Sequence, residues 1–108
     1  MIILVKITKV ESYLTGKWFT LCKITTDEGI VGWGDGTEWN TPKSVVSNIN
    51  DFGAMIVGED PKNIEKIWQL SWRSAYTGGK DLSCALCAIE GALWDIKGKI
   101  YDVPVVDS

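Results

Sequence analysis

Two short turn signals, Thr15-Gly16-Lys17 and Asp27-Glu28-Gly29, constrain this chain most. The segments they separate alternate with the period of a half-buried strand. Connections this short leave no room for a crossover, so successive strands must run antiparallel as a meander. In the first segment Ile3, Val5 and Ile7 alternate with Leu4, Lys6 and Thr8, and then the phase slips: Val10, Ser12 and Leu14 take the other parity. A bulge near Lys9 reconciles the two halves. Residues 18–26 are rich in Thr, Ile and aromatic side chains and form the second strand. Gly29 suits the positive φ of a hairpin loop. Residues 30–34 form the third strand.

The period then changes to that of a helix. Thr41 is an N-cap candidate with Pro42 at the first helical position. Val45, Val46, Ile49, Phe52 and Ile56 fall on one face, and Gly58 suits the C′ position. A second start follows at Asp60-Pro61, with Ile64, Ile67, Trp68 and Trp72 as its stripe. Residues 76–79 read as a loop. A third helix is expected from about Asp81 or Ser83 to about Lys99, with Leu82, Leu86, Ile89, Leu93 and Ile96 on its apolar face. The small residues Ala85, Ala88, Gly91 and Ala92 let another element come close. Strands followed by helices predict an α+β fold, a three-stranded antiparallel meander and about three helices, in one domain spanning residues 1–108. At 108 residues the chain is too short for a (β/α)₈ barrel, which takes about 250.

Charge and composition exclude several functions. A net charge of −3 and a pI near 4.8 argue against nucleic acid as a partner, because phosphate binding needs a basic surface. The chain has no histidine, which removes imidazole acid–base catalysis, His-activated nucleophiles and His-ligated metals. No long uncharged apolar run exists, so no membrane span is expected. Residues 1–5 are apolar but short, and Lys6 follows rather than precedes them, unlike a signal peptide. Three cysteines, an odd number, fit a reducing cytoplasm. Six tryptophans divide between core and contact surface.

Few motifs carry chemistry. Gly32-Trp33-Gly34-Asp35-Gly36 lacks the βαβ context and the last glycine of a dinucleotide loop; it reads as a strand with close backbone contacts. Cys84 and Cys87 form a C-x-x-C inside an apolar helix and read as buried structural thiols, not as a redox or metal site. Asp27-Glu28 and Glu59-Asp60 are adjacent carboxylates at turns, where acidic residues act as caps. Asp95 is placed to pair with Lys99 one turn on, or to meet a buried partner. Lys97 and Lys99 suit the end of the third helix. The segment 35–41, with Asp35, Thr37, Glu38, Trp39 and Asn40 between a strand and a helix, is either a binding loop or a solvated connector.

The order of these signals resembles the N-terminal capping domain of the mandelate racemase/muconate lactonizing enzyme family, in the enolase superfamily. The residues that carry it are I-T-K-V-E at 7–11, I-T-T-D-E-G-I-V-G-W-G-D at 24–35, I-V-G-E-D-P at 56–61, I-E-K-I-W-Q at 64–69, A-L-W-D-I-K-G-K at 92–99 and V-P-V at 103–105. Sugar-acid dehydratases of the mannonate and galactonate type look most similar: G-D-G-T-E-W-N at 34–40 resembles their G-D-x-T-x-x-N stretch, whose Asn contacts substrate. The resemblance implies that loops of this domain close over a substrate held by a barrel. Lys17, Trp18, Thr37, Trp39, Asn40 and Tyr76 would be the substrate-binding positions, and none of them catalytic. The sequence departs from the family pattern in three places, one of them the tail, where Val106-Asp107-Ser108 stands instead of the usual L-L-G-G stretch after V-P-V. Tyr76-Thr77-Gly78-Gly79 lacks the usual Arg, and Glu90 replaces a more usual Asp. The family's barrel carries the Mg²⁺ carboxylates and the proton-moving Lys or His, and the 108 residues contain no such domain. The expectation is therefore a fragment or truncated product, cytoplasmic and inactive alone, with a barrel as partner. The alternative is a free-standing interaction module that reuses the cap fold and forms a homo-oligomer.

Overall fold

Three strands, β1 (Ile7–Thr15), β2 (Phe19–Thr26) and β3 (Val31–Asp35), precede three helices, α1 (Pro42–Ile56), α2 (Ile64–Ser74) and α3 (Lys80–Ile100), in a computed structural model that describes residues 5–15, 19–37, 42–74 and 80–101. The sheet order is β1-β2-β3, antiparallel throughout, as the short connections required. Gly29 adopts φ 79° between β2 and β3. Thr26 closes that turn: its hydroxyl donates to the Ile30 carbonyl at 2.9 Å and accepts from the Ile30 N–H at 3.0 Å.

The expected bulge is present. Ile7 pairs with Thr26 and Lys9 with Thr25, so the register slips by one residue between them. Both halves of β1 can then face inward: Ile7 is buried, and Val10 packs against the core. Ser12 Oγ donates to Asn50 Oδ1 of α1 at 2.7 Å. Leu14 departs from expectation. It is 38% exposed, because it lies near the hairpin end, beyond the point where Ser12 meets α1.

α1 begins at Pro42 and ends before Gly58, which adopts φ 94° as expected of a C′ glycine. The turn after it pairs with the start of β1, Gly58 N–H donating to Ile7 C=O at 2.8 Å and Ile7 N–H to Glu59 C=O at 2.9 Å. α2 starts later than Asp60-Pro61 suggested. Asp60 Oδ1 accepts from the Lys62 N–H at 2.9 Å, and the Asn63 N–H closes a turn on the Asp60 carbonyl at 3.0 Å. The Asn63 carbonyl accepts the Ile67 N–H at 3.2 Å, so Asn63 holds the N-cap position. Asp-Pro opens a turn here, and the helix begins one turn later. α3 begins at Lys80, slightly earlier than expected.

The helices cover one face of the sheet. Cys22 and Ile24 of β2 meet Val45, Ile49, Phe52 and Ile56 of α1 and Leu86, Ile89, Leu93 and Ile96 of α3, with Ile64 and Ile67 of α2 closing the far side. α3 approaches β3 backbone to backbone. A Cβ added at Gly32 would meet the Ala92 carbonyl, one at Gly34 the Ala88 carbonyl, and one at Gly36 the Cys84 carbonyl. Two strand residues advance about 6.8 Å and four helix residues about 6 Å, so the two rows stay in step. The glycine-rich segment is a packing surface, as its strand context implied. No helix among the described residues is long and apolar enough to cross a membrane.

Thr20, on the inner face of β2, is fully buried, and its hydroxyl has no hydrogen-bond partner among the described residues. Thr20→Val keeps the shape and removes the unsatisfied group, so it is expected to stabilise the domain by about 1–2 kcal/mol. A urea midpoint that rises with unchanged slope would show this; a lower midpoint would refute it.

Candidate functional site

The strand register brings one end of the sheet together from several elements. Thr15 of β1 faces Phe19 of β2, Leu21 of β2 faces Asp35 of β3, and the Gly36 N–H donates to the Thr20 carbonyl at 3.0 Å. α1 starts at this end, because its later residue Gly53 meets Val10 while its earlier residue Asn50 meets Ser12, further along β1. α3 starts here too, with Cys84 over Gly36. The described residues flanking 16–18 and 38–41, and the start of α3 after 75–79, therefore converge on one end of the domain.

Asp35 shapes the exit from β3. Its Oδ1 accepts the Thr37 N–H at 2.9 Å and also the Thr37 hydroxyl. This is an Asx-type turn, and it holds the chain as it leaves the sheet. Thr37, one of the six expected substrate-binding positions, is partly buried with its hydroxyl engaged by Asp35. Lys17, Trp18, Trp39, Asn40 and Tyr76 lie outside the described residues.

The other carboxylates serve turns and helix surfaces. Asp27 Oδ1 accepts the Lys6 N–H at 2.9 Å, and Glu59 pairs with Lys66 at 3.3 Å. Asp95 pairs with Lys99 at 3.1 Å and also accepts the Trp33 N–H of β3 at 3.0 Å. Among the described residues, no group of three or more Cys, Asp or Glu is placed to hold a metal ion. The carboxylates described here do not fit a Mg²⁺ site, which needs several oxygens in octahedral array. None of the three cysteines forms a disulfide: Cys22 is buried, Cys84 partly so, and Cys87 is exposed. The expectation of buried thiols in the C-x-x-C therefore fails at Cys87, whose position on α3 turns it away from the sheet.

Two surfaces were not foreseen. The outer face of the sheet carries Tyr13 and Trp33 with ring centroids 5.9 Å apart, and Lys23 Nζ lies 5.6 Å from the Trp33 ring. The Tyr13 hydroxyl donates to Glu11 Oε2 at 3.0 Å, and that bond to a carboxylate holds the phenol above its usual 10.0. The register of three alternating strands could have placed these residues on one face. The second surface is a groove of about 460 Å³ between the start of α2 and the second half of α3, lined by Lys62, Glu65, Trp68, Glu90, Trp94 and Lys97. Glu90 lies ten residues beyond Lys80, about 15 Å along α3 from its start.

The family described as mandelate racemase/muconate lactonizing enzyme, N-terminal domain, matches residues 8–107. The chain belongs to this family. It is 42% identical over 102 residues to a D-galactonate dehydratase of Cronobacter sakazakii, covering 93% of the chain and 26% of that protein. To a D-galactonate dehydratase of Variovorax paradoxus it is 41% identical, covering 94% and 27%. An enolase superfamily member from Salmonella Typhimurium superposes with a TM-score of 0.85 at 38% identity, over 91% of this chain and 27% of that one. The 3,6-anhydro-D-galactonate cycloisomerase of Zobellia galactanivorans superposes with a TM-score of 0.80 at 34% identity, over 89% and 29%. This N-terminal domain thus spans about a quarter of the length of the relatives it matches.

Proposed function

We propose that the chain is the substrate-capping, specificity-setting domain of a sugar-acid dehydratase of the enolase superfamily, present as a fragment or truncated product and acting in the cytoplasm. The observation that carries this reading is its 42% identity to a D-galactonate dehydratase of which it spans only the capping quarter. The convergence of β1, β2, β3, α1 and α3 on one end of the sheet supports it, since short segments anchored there can reach a common ligand. In this reading a barrel domain supplies Mg²⁺ and the groups that move protons. The cap supplies contacts and excludes water, with Lys17, Trp18, Thr37, Trp39, Asn40 and Tyr76 facing the sugar acid.

The test joins these 108 residues to the barrel of the Cronobacter sakazakii enzyme in place of its own cap. The chain alone is expected to dehydrate no D-galactonate, and the chimera to do so. Asn40→Ala in the chimera is expected to lower kcat/KM about 10- to 100-fold, the loss of one or two hydrogen bonds to substrate. Turnover by the chain alone, or full activity of the Asn40 variant, would refute the reading. The exposed aromatic face of the sheet favours a second reading, an interaction module that self-associates through it. A chain that sediments as a monomer at all concentrations would remove that reading.

A further inference from the structure

Among the described residues, β3 is an edge strand. Its even-numbered residues bond to β2: the Ile30 carbonyl accepts from Thr26 N–H at 3.1 Å, and the Gly36 N–H donates to Thr20. Its odd-numbered residues, Val31, Trp33 and Asp35, therefore turn their backbone groups to the open side. The open edge begins Val31-Gly32-Trp33-Gly34, with no charge or proline of the kind that normally guards such an edge.

Two side chains from α3 take its place. Asp95 Oδ2 accepts the Trp33 N–H at 3.0 Å, and Lys99 Nζ donates to the Val31 carbonyl at 2.6 Å. Lys99 also donates to Asp95 at 3.1 Å, so the two form one unit, a helical turn apart on the same face. An exposed pair of this kind contributes little stability by itself. Its placement matters more, because it occupies the acceptor of Val31 and the donor of Trp33, the groups an added strand would use. In an antiparallel pairing of two β3 strands centred on Gly32, the Val31 carbonyl of one copy would receive the Trp33 N–H of the other, twice over by symmetry. Val31 and Trp33 would then also meet across the new junction.

We propose that Asp95 and Lys99 form an edge lock: they substitute for a fourth strand and keep β3 from pairing with the β3 of a second copy. This rests on the strand register and these side-chain contacts, and does not depend on the dehydratase reading.

The test is the 108-residue chain carrying Asp95→Ala and Lys99→Met together. At low concentration the Trp33 amide of the variant is expected to exchange with solvent at least about tenfold faster than in the native chain. At high concentration its sedimentation mass is expected to double relative to the native chain at the same concentration, with Trp33 protection restored. Adding Val31→Pro should return the mass to the native value, because the Val31 N–H faces the open edge and its loss breaks no bond to β2. If the double variant fails to fold, Asp95→Ala alone carries the same measurements. An unchanged mass, unchanged Trp33 exchange, or a doubled mass that Val31→Pro leaves doubled would overturn the proposal.

Discussion

Gly34→Ala is expected to destabilise the domain by about 3 kcal/mol or more, although it adds a single methyl group. The new Cβ would run into the Ala88 carbonyl oxygen, with the Ala88 carbonyl carbon and the Ala92 nitrogen each 2.8 Å away. All three are helix backbone, and none can rotate aside. Relief requires α3 to lift off β3. That movement would loosen the glycine–alanine seam and the burial of Leu93 and Ile96 behind it. A domain of this size has about 5–15 kcal/mol in total, so one methyl would remove a large part of it. Gly91→Ala is the control. Its Cβ would lie 3.6 Å from the Gly34 Cα, an ordinary contact, and the exchange improves helix propensity by up to about 1 kcal/mol. Urea unfolding should therefore lower the midpoint sharply for the first variant and hold or raise it for the second. Equal midpoints would mean that the two backbones do not touch as described.

The contrast shows what the sequence discloses and what it conceals. The meander is legible because two tight turns admit no other topology, and the bulge because Val10 breaks the parity set by Ile7. The small residues of α3 and the glycines of β3 each announce a close approach, and the structure joins them. The start of α2 is concealed because Asp60-Pro61 carries the signature of a helix cap while serving a turn; only the bond from Ile67 N–H to Asn63 shows where the helix begins. Asp95 was legible as a partner of Lys99, a local pair. Its bond to Trp33, 62 residues away, depends on the packing of α3 along β3, which no local pattern encodes. The candidate site divides in the same way. That the elements around it share one end follows from the antiparallel register. That Asp35 ties down Thr37 does not, since a carboxylate in a loop could equally have faced a ligand.

Cys22 gives the stability of the domain an expected alkaline limit. It lies on the inner face of β2 opposite Gly34, fully buried, and burial pushes its thiol from the ordinary 9.0 up to about 12. Below about pH 9 the thiol is protonated in both folded and unfolded chains and contributes no pH dependence. Above that, the unfolded chain releases its proton while the folded chain retains it. The unfolded state then binds fewer protons, so stability must fall as pH rises, until the folded thiol ionises near 12. The steepest slope for one such group is about 1.4 kcal/mol per pH unit. Every other ionisable group of the chain is common to a Cys22→Ala variant, so the difference between the two isolates Cys22. That variant starts lower at neutral pH by about 1–2 kcal/mol for the cavity it leaves. Between about pH 9 and about pH 10.5, the native chain is expected to lose about 1–2 kcal/mol more than the variant, so that their urea midpoints converge. The measurement requires a reductant throughout, because the exposed Cys87 would otherwise oxidise. Midpoints that fall in parallel would mean that the Cys22 thiol reaches solvent in the folded domain, and with it that the seam between β2, β3 and α3 opens.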